Sequence, residues 1–414
     1  MYGFGIFLYL LALILASPFK AKARQMLAGR WRWRKKLAAA LPAKNGKRIW
    51  FHCASLGEFE MVKPILDKLK KQQPEVQVVI SFFSPSGYLQ KRNYPCEGVF
   101  YLPLDFKRNA RDWYRLVQPD VAVFVKYEFW LRFMQYGHKA GVKMLATGCL
   151  FREGQFIFEP WADNWKKALL QFDRIFVQNT DSLERAHSEG LRNSVLSGDT
   201  RFDRVIEVRE TAREIDWATR FKGENTLCIG GSTWPPEEKM LRNMLNRIGI
   251  PIKTRFILVP HDISDSHTDS ICRQFADLEC TRLSQIKSAE IPEHCKMIVV
   301  DEIGLLSALY RYADVAIIGG AWGKGLHNML EAAVWGMPIL FGPKHHKFPE
   351  AALSIEAGFG FECSNEDEFE KHLKTGLGNP EKRFEAAMAA KRFVEQHAGA
   401  SEAVVSHICS IIEN

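Results

Sequence analysis

Residues 315–343 read VAIIGGAWGKGLHNMLEAAVWGMPILFGP. A β-branched run meets a glycine-rich turn (Gly319, Gly320, Gly323, Gly325), a helical stretch carrying His327, Asn328 and Glu331 follows, and a second buried run, PILFG, closes the segment. That succession is one unit of a parallel α/β sheet, in which strand, loop and helix lead back to a neighbouring strand. Glycines there let the backbone approach a phosphate or a sugar, and Glu331, one turn into the helix, is placed to accept from ribose hydroxyls. The spacing is neither a Walker A loop nor G-x-G-x-x-G, which argues against ATPase and NAD chemistry.

Outward from this segment the same alternation fills the chain from residue 48 on. Strands are predicted at RIWFHC (48–53), VQVVISF (76–82), VFYLP (99–103), VAVFVK (121–126), VKMLATG (142–148) and RIFVQN (174–179). After a polar helical stretch a second series follows: TLCIGG (226–231), RFILVP (255–260), KMIVVD (296–301), VAIIGG (315–320) and PILFG (338–342). Two Rossmann-like halves facing a cleft are the economical α/β reading. The expected divisions are an anchor and basic segment (1–47), a first half (48–205), a linker (206–222), a second half (223–380) and terminal helices (381–414) packing back across the halves.

Length and composition agree. At 414 residues, 47% hydrophobic and 25% charged, the chain suits two folded domains and neither disordered nor collagenous material. Nine scattered cysteines without a C-x-x-C pair favour a reducing compartment over a disulfide framework. The net charge of +8 is lopsided: residues 1–48 hold eleven lysines and arginines and no acid, which leaves −3 for residues 49–414. No basic body remains to hold nucleic acid.

Residues 2–16, YGFGIFLYLLALILA, are uncharged and shorter than the ~20 residues a full helical span prefers. Because the positive charges follow the apolar run, the order is that of an anchor with the body on the cytoplasmic side, either spanning with tilt or lying in the interface. In AKARQMLAGRWRWRKKL, Trp31 and Trp33 alternate with cations, a pattern suited to a headgroup zone and equally to a solvated helix.

Three constellations carry candidate chemistry. In HCASLGEFEMVK a strand ends near Cys53 and turns through Ser55-Leu56-Gly57 into a helix bearing Glu58, at the sheet edge where ligands bind. Glu58 is there either a general base or a helix cap, and His52 is more readily a satisfied strand histidine than a catalyst. In CIGGSTWPPEEKML a strand and a Gly-Gly turn lead through Ser232 and Thr233 to a helix start, read either as an anion site of free amides or as a capped surface helix. The glycine turn of 319–325 is the third. SGDTRFDRV (197–205) offers hinge salt bridges or anion contacts. No D-x-D and no H-E-x-x-H occurs, His345-His346 reads as loop, and Cys272, Cys280, His294 and Cys295 have the wrong spacing for a zinc module, so no metal site and no cofactor is expected.

In order along the chain, HCASLGE, SPSGY, YLPLD, KYEFW, GDTRFDRV, GSTWPPEE, PH, GKGLHNMLEAAVWGMP and FPEA resemble the 3-deoxy-D-manno-oct-2-ulosonic acid (Kdo) transferases of lipopolysaccharide synthesis. The resemblance covers nearly the whole chain. It implies a GT-B fold with an N-terminal acceptor domain and a C-terminal donor domain, and metal-free transfer of Kdo from CMP-Kdo to a lipid A precursor at the cytoplasmic face of the inner membrane. By the same matching the catalytic glutamate of A-S-x-G-E falls on Glu58. Donor contacts fall on His261, Gly323, Gly325, Asn328, Glu331 and Glu350, with Ser232 and Arg201 near donor phosphate or carboxylate. Acceptor contacts are expected at Ser55, Gly57 and Glu128 and at Arg30, Arg32 and Arg34, the last also meeting anionic lipids of the inner membrane.

The chain departs from the family pattern in three places. Lys126-Tyr127-Glu128-Phe129-Trp130-Leu131 has Lys first and Leu last where E-x-E-x-W-P is common. Val259-Pro260-His261-Asp262-Ile263-Ser264 lacks the arginines of P-R-H-x-x-R, so another cation must meet donor charge, with Lys324, Arg201 and Lys347 as candidates. Lys347 also replaces a common Asn before F-x-E. The rival readings are a GT-B enzyme using a UDP-sugar, either a polyprenyl-lipid glycosyltransferase or an epimerase, and a noncatalytic scaffold that binds anionic lipid.

Overall fold

The computed structural model describes residues 2–249, 251–286 and 291–413. Among them the chain divides into a first unit, residues 1–204 with 398–414, and a second, residues 205–397.

In the first unit the run RIWFHC forms β1 (Arg48–Cys53), followed by β2 (Gln77–Phe82), β3 (Gly98–Tyr101), β4 (Val121–Val125), β5 (Lys143–Cys149), β6 (Arg174–Val177) and β7 (Ser194–Leu196). They make one sheet in the order β3-β2-β1-β4-β5-β6-β7, parallel throughout. Both faces are covered, which is why β1 is buried at every position. Its alternation sorts the side chains: Trp50 enters a core with Trp113, Phe124 and Phe133, whereas Ile49 and Phe51 enter a second core with Phe59, Ile65 and Leu69. Burying one such large side chain contributes about 1.5–3 kcal/mol.

Three helices precede the sheet: α1 (Tyr2–Ala16), α2 (Ala21–Arg30) and α3 (Trp33–Ala40). α1 exposes Phe4, Phe7, Leu8, Leu11 and Leu15, yet it is tied to the body, since Tyr2 Oη donates to Asp105 at 2.6 Å and the Tyr9 ring stacks on Phe83. Among the described residues no helix is long and apolar enough to cross a membrane. The fifteen residues of α1 reach about 22 Å at 1.5 Å each, against ~30 Å for a hydrocarbon core.

The second unit repeats the plan with β8 (Thr226–Thr233), β9 (Thr254–Pro260), β10 (Thr281–Arg282), β11 (Met297–Val299), β12 (Val315–Ile318), β13 (Ile339–Phe341) and β14 (Gly360–Glu362). The order is β10-β11-β9-β8-β12-β13-β14, again all parallel. The chain reverses direction across the sheet between β1 and β4 in the first unit and between β8 and β12 in the second. The carboxyl ends of those strand pairs are therefore where ligand sites are expected in open α/β sheets.

The stretch between the halves is helical, Thr200–Thr211 and then Asp216–Lys222. The terminal pair is shared out: Pro380–Gln396 belongs to the second unit, whereas Ala400–Ile412 buries Val404, Val405 and Ile408 in the first unit's core.

Candidate functional site

At the carboxyl end of β1 the chain turns into α4 (Leu56–Gln72), and Glu58 sits in its first turn. One carboxylate oxygen, Oε2, accepts from the amides of Ala54 and Ser55, closing the capping arrangement that starts the helix. The other, Oε1, takes no protein hydrogen bond among the described residues. Burial raises the Glu58 pKa and the negative charge of Glu128 adds to the rise, against opposing pulls from the Ala54 amide, Lys126 and His52. The group is thus both a cap and a carboxylate with a free oxygen and raised basicity.

Glu128 follows β4, the other strand of the switch point. Its Oε2 lies 2.8 Å from Trp130 Nε1 and 3.3 Å from His52 Nε2. His52 is fully buried, with Nδ1 2.9 Å from Ser81 Oγ, which in turn accepts from Trp50 Nε1 at 2.7 Å. Two proton arrangements satisfy this chain: Ser81 donates to His52 Nδ1 and His52 Nε2–H to Glu128, or His52 Nδ1–H donates to the Ser81 carbonyl (3.2 Å) while Trp130 Nε1 donates to His52 Nε2 (3.1 Å). In either, His52 is a buried, satisfied strand histidine beside Glu128. Lys126, between β4 and Glu128, holds a left-handed φ of 55°, a strained conformation of the kind retained at functional turns.

In the second unit β8 bulges before Thr233, and Ser232 takes φ 51°. Gly319, just after β12, lies so close that a Cβ there would sit 2.1 Å from the Ser232 carbonyl oxygen, so only glycine fits. Glu237 stitches the two turns together: its Oε2 accepts from Trp234 N at 2.8 Å and its Oε1 from Gly320 N at 2.9 Å. Burial raises its pKa against those amide bonds.

Beside these turns lies a cavity of about 520 Å³ lined by Trp234, His261, Lys324, Gly325, His327, Lys344, His346, Lys347 and Phe348. Trp234 stacks on His261 (4.6 Å between centroids), His261 on His327 (4.8 Å), and Trp234 Nε1 donates to His327 Nε2 at 3.1 Å. That bond requires a neutral His327, and burial together with His261 lowers the His327 pKa accordingly. Lys324 Nζ lies 5.0 Å from the Trp234 ring centroid, a cation–π contact that holds the ammonium at the rim. Three lysines, three histidines and no acid make this a pocket for an anionic ligand of nucleotide size.

Residues 30–204 match the family model described as 3-deoxy-D-manno-octulosonic-acid transferase (kdotransferase). The Aquifex aeolicus protein named 3-deoxy-D-manno-octulosonic acid transferase is 27% identical over 334 residues, 78% of this chain and 85% of that one. The Bordetella pertussis protein of the same name is 23% identical over 88% of this chain and 87% of its own length. The chain is thus similar to Kdo transferases, through a family model over residues 30–204 and through relatives along most of its length. Kdo transferases are glycosyltransferases, the class of enzyme to which this likeness assigns the chain. Solved structures that share its fold include the UDP-GlcNAc 2-epimerase of Neisseria meningitidis (TM-score 0.63, 12% identity, 88% of this chain and 100% of that one) and the Acinetobacter baumannii MurG (0.56, 14%, 88% and 99%). At such identities they speak for the fold alone: two parallel-sheet α/β domains of the GT-B kind.

Of the residues expected from the Kdo transferase pattern, Ser55, Gly57, Glu58 and Glu128 lie together at the β1 and β4 ends. His261 and Gly325 line the second unit's cavity with Lys324 and Lys347, whereas Ser232, Gly323, Asn328, Glu331 and Glu350 are not among its lining residues. Glu331 is held by Asn328 Nδ2 at 2.9 Å and by Ser307 Oγ, and Glu350 is buried in the first turn of the helix Pro349–Glu356. Several expectations are corrected. The helix after the glycine turn begins at Leu330, so His327 and Asn328 precede it. The helix start at Pro235 offers no row of free amides, because Pro235 and Pro236 have no N–H and Glu237 takes the amide of Trp234. The amides of Gly323 and Gly325 both donate to Gly320 O at 2.9 Å, so these glycines offer backbone proximity and not phosphate donors.

Arg201 belongs to the first unit and is ion-paired with Asp199 at 2.7 Å; Asp203 caps the helix Ala400–Ile412 through Gly399 N and Ser401 N. Asp199, Asp203 and Arg204 of the GDTRFDRV motif thus make ties within the first unit. Arg30 spends its guanidinium on the carbonyls of Leu102, Met26 and Phe83, and burial lowers its pKa to about 10, so it is not a headgroup cation. Arg34 pairs with Asp112 at 2.7 Å and Trp33 is buried beside Trp113, leaving Arg32 and Trp31 exposed. His345, read as a loop residue, is in the loop but pairs with Glu362 at 2.7 Å. Sequence reasoning missed Trp234, Lys344, His346 and Phe348; the cluster PKHHKF (343–348) next to the glycine turn was the available signal.

Proposed function

We propose that this glycosyltransferase acts in lipopolysaccharide biosynthesis and moves Kdo from CMP-Kdo to a lipid A precursor of the lipid IVA type, with inversion and without a metal ion. The observation that carries the mechanism is the two-sided carboxylate of Glu58: Oε2 fixed by backbone amides, Oε1 open, and the pKa raised beside Glu128. Glu58 takes the proton of an acceptor hydroxyl as its oxygen bonds to the anomeric carbon of Kdo. The bond from that carbon to the CMP phosphate breaks, and its electron pair leaves with CMP. Attack on the face opposite the leaving group inverts the centre. A general base in this position contributes about 10²–10⁴ in rate.

The cationic and aromatic pocket of the second unit supports an anionic nucleotide-sugar, because phosphate and the Kdo carboxylate both carry charge. Lys324, Lys344 and Lys347 then serve where the family's arginines are missing beside His261. The exposed apolar face of α1 and the cations Lys20, Lys22, Arg24 and Arg32 support an interfacial anchor on anionic lipid at the cytoplasmic face of the inner membrane, since apolar burial and charge attraction add. Deletion of residues 2–16 should release the protein from anionic vesicles; undiminished co-sedimentation refutes that anchor.

Thermal melting with nucleotides tests the donor. CMP should raise the melting temperature and UDP should not, because a ligand stabilises the state it binds. The reverse order would point to a UDP-sugar.

A further inference from the structure

We propose that the first unit carries a second ligand site, at the opposite end of its sheet from Glu58, that takes a phosphate-bearing small molecule of about two net negative charges. A cavity of about 950 Å³ is lined there by Lys44, Lys47, Arg111, Arg115, Lys139 and Lys143. Lys47 precedes β1, Asp120 precedes β4 and Lys143 opens β5, so the cavity lies at the amino ends of the strands whose carboxyl ends carry Glu58 and Glu128. Six residues of β1 put about 20 Å between the two edges. The cavity therefore belongs to neither site described above.

Its charge exceeds what the fold needs. Lys44 pairs with Asp120 (2.8 Å), Arg111 with Asp112 (3.1 Å) and Lys143 with Asp173 (3.0 Å). Lys47, Arg115 and Lys139 have no acidic partner among the described residues. The helices Lys107–Val117 and Leu131–Lys139 end here, and two helix carboxyl termini together offset about one positive charge. Six cations against three carboxylates and about one charge of helix dipole leave roughly two positive charges uncompensated in one concavity. A phosphomonoester or pyrophosphate matches that number, and an arginine fork can bind its oxygens in pairs.

Tyr136, Val142 and Ile411 give the cavity an apolar side, so the ligand class is a phosphate attached to an aromatic or aliphatic group. The volume is within the range of small-molecule sites, about 300–1,000 Å³. Ile411 comes from the terminal helix Ala400–Ile412, which makes that helix part of the wall.

Isothermal titration of the full-length protein with ADP and with pyrophosphate, in the presence of saturating CMP, tests the site for free phosphates. Flotation with phosphatidic acid vesicles, against phosphatidylcholine, tests it for a lipid headgroup. The comparison variant combines Lys47→Ala, Arg115→Ala and Lys139→Ala, three exposed changes that break no ion pair. The expected result is binding of one of the two phosphate classes that weakens tenfold or more in the variant, with the CMP-dependent melting shift retained. The arm whose binding falls with the triple substitution identifies the source, since anchoring of α1 on anionic vesicles is common to both proteins. Absence of binding in both arms, or binding indifferent to the triple substitution, overturns the proposal.

Discussion

Glu58→Gln separates the cap that this carboxylate forms from the base role proposed for it. The amide keeps an oxygen for the Ala54 and Ser55 amides, so the start of α4 survives and folding stability changes by less than about 1 kcal/mol, or ~2–4 °C in melting temperature for a unit this size. The amide cannot take a proton at Oε1. Loss of a general base lowers turnover by about 10²–10⁴, equal to about 2.7–5.5 kcal/mol at 1.36 kcal/mol per decade. Donor affinity should be untouched, because the cationic pocket belongs to the second unit. The assay is steady-state CMP release with intact donor and acceptor, run beside a thermal melt and a CMP titration. Turnover within threefold of the parent would refute the base assignment and leave Glu58 a cap. Lost turnover accompanied by a collapse in melting temperature would mean that the amide had failed as a cap.

Four further outcomes follow from the geometry. Glu128→Gln removes a negative neighbour that helps raise the Glu58 pKa; since the base works deprotonated, a lower pKa means activity persisting to lower pH, seen as a downward shift of the acid limb of kcat/KM. Trp234→Phe keeps a ring under Lys324 but loses the bond to His327, and Trp234→Leu loses both: donor KM should rise about 5-fold for Phe and about 10- to 30-fold for Leu, with kcat little changed. Gly319→Ala forces a Cβ against the Ser232 carbonyl and should cost about 1–3 kcal/mol in denaturant unfolding of the second unit. Asp203→Ala leaves two amides at the start of the terminal helix unpaired, for a loss of about 1–3 kcal/mol in the first unit.

The fold was legible because buried parallel strands announce themselves. RIWFHC forms β1 at the residues expected, and VAVFVK and RFILVP differ from β4 and β9 by one residue at an end. The strands missed, β7, β10 and β14, have only two or three residues and lie at sheet edges, where a short stretch such as Gly360–Glu362 shows no apolar run. The placement of candidate residues was legible where chemistry and topology coincide: Glu58 stands at the β1 edge and His261 in the wall of the second unit's cavity. It was misread where one pattern serves two purposes. Alternating Trp and Arg at 30–34 suits a headgroup zone, but Trp33 fills a core and Arg30 satisfies backbone carbonyls, because a helix packed on a sheet uses the same letters. The Ser-Thr-x-Pro-Pro start read equally as an anion site or a capped helix, and Glu237, two residues past the first proline, makes it the capped one by occupying the turn itself. Trp234 could not be placed from sequence, since its role comes from His261 and His327, which are 27 and 93 residues away.

The most direct test of the central claim is mass spectrometry of a tetra-acylated lipid A precursor after incubation with detergent-solubilised protein and CMP-Kdo generated in situ, with the Glu58→Gln variant in parallel. The account predicts a gain of whole Kdo units on the lipid in the parent reaction and almost none with the variant. No gain with folded protein and intact donor would contradict it.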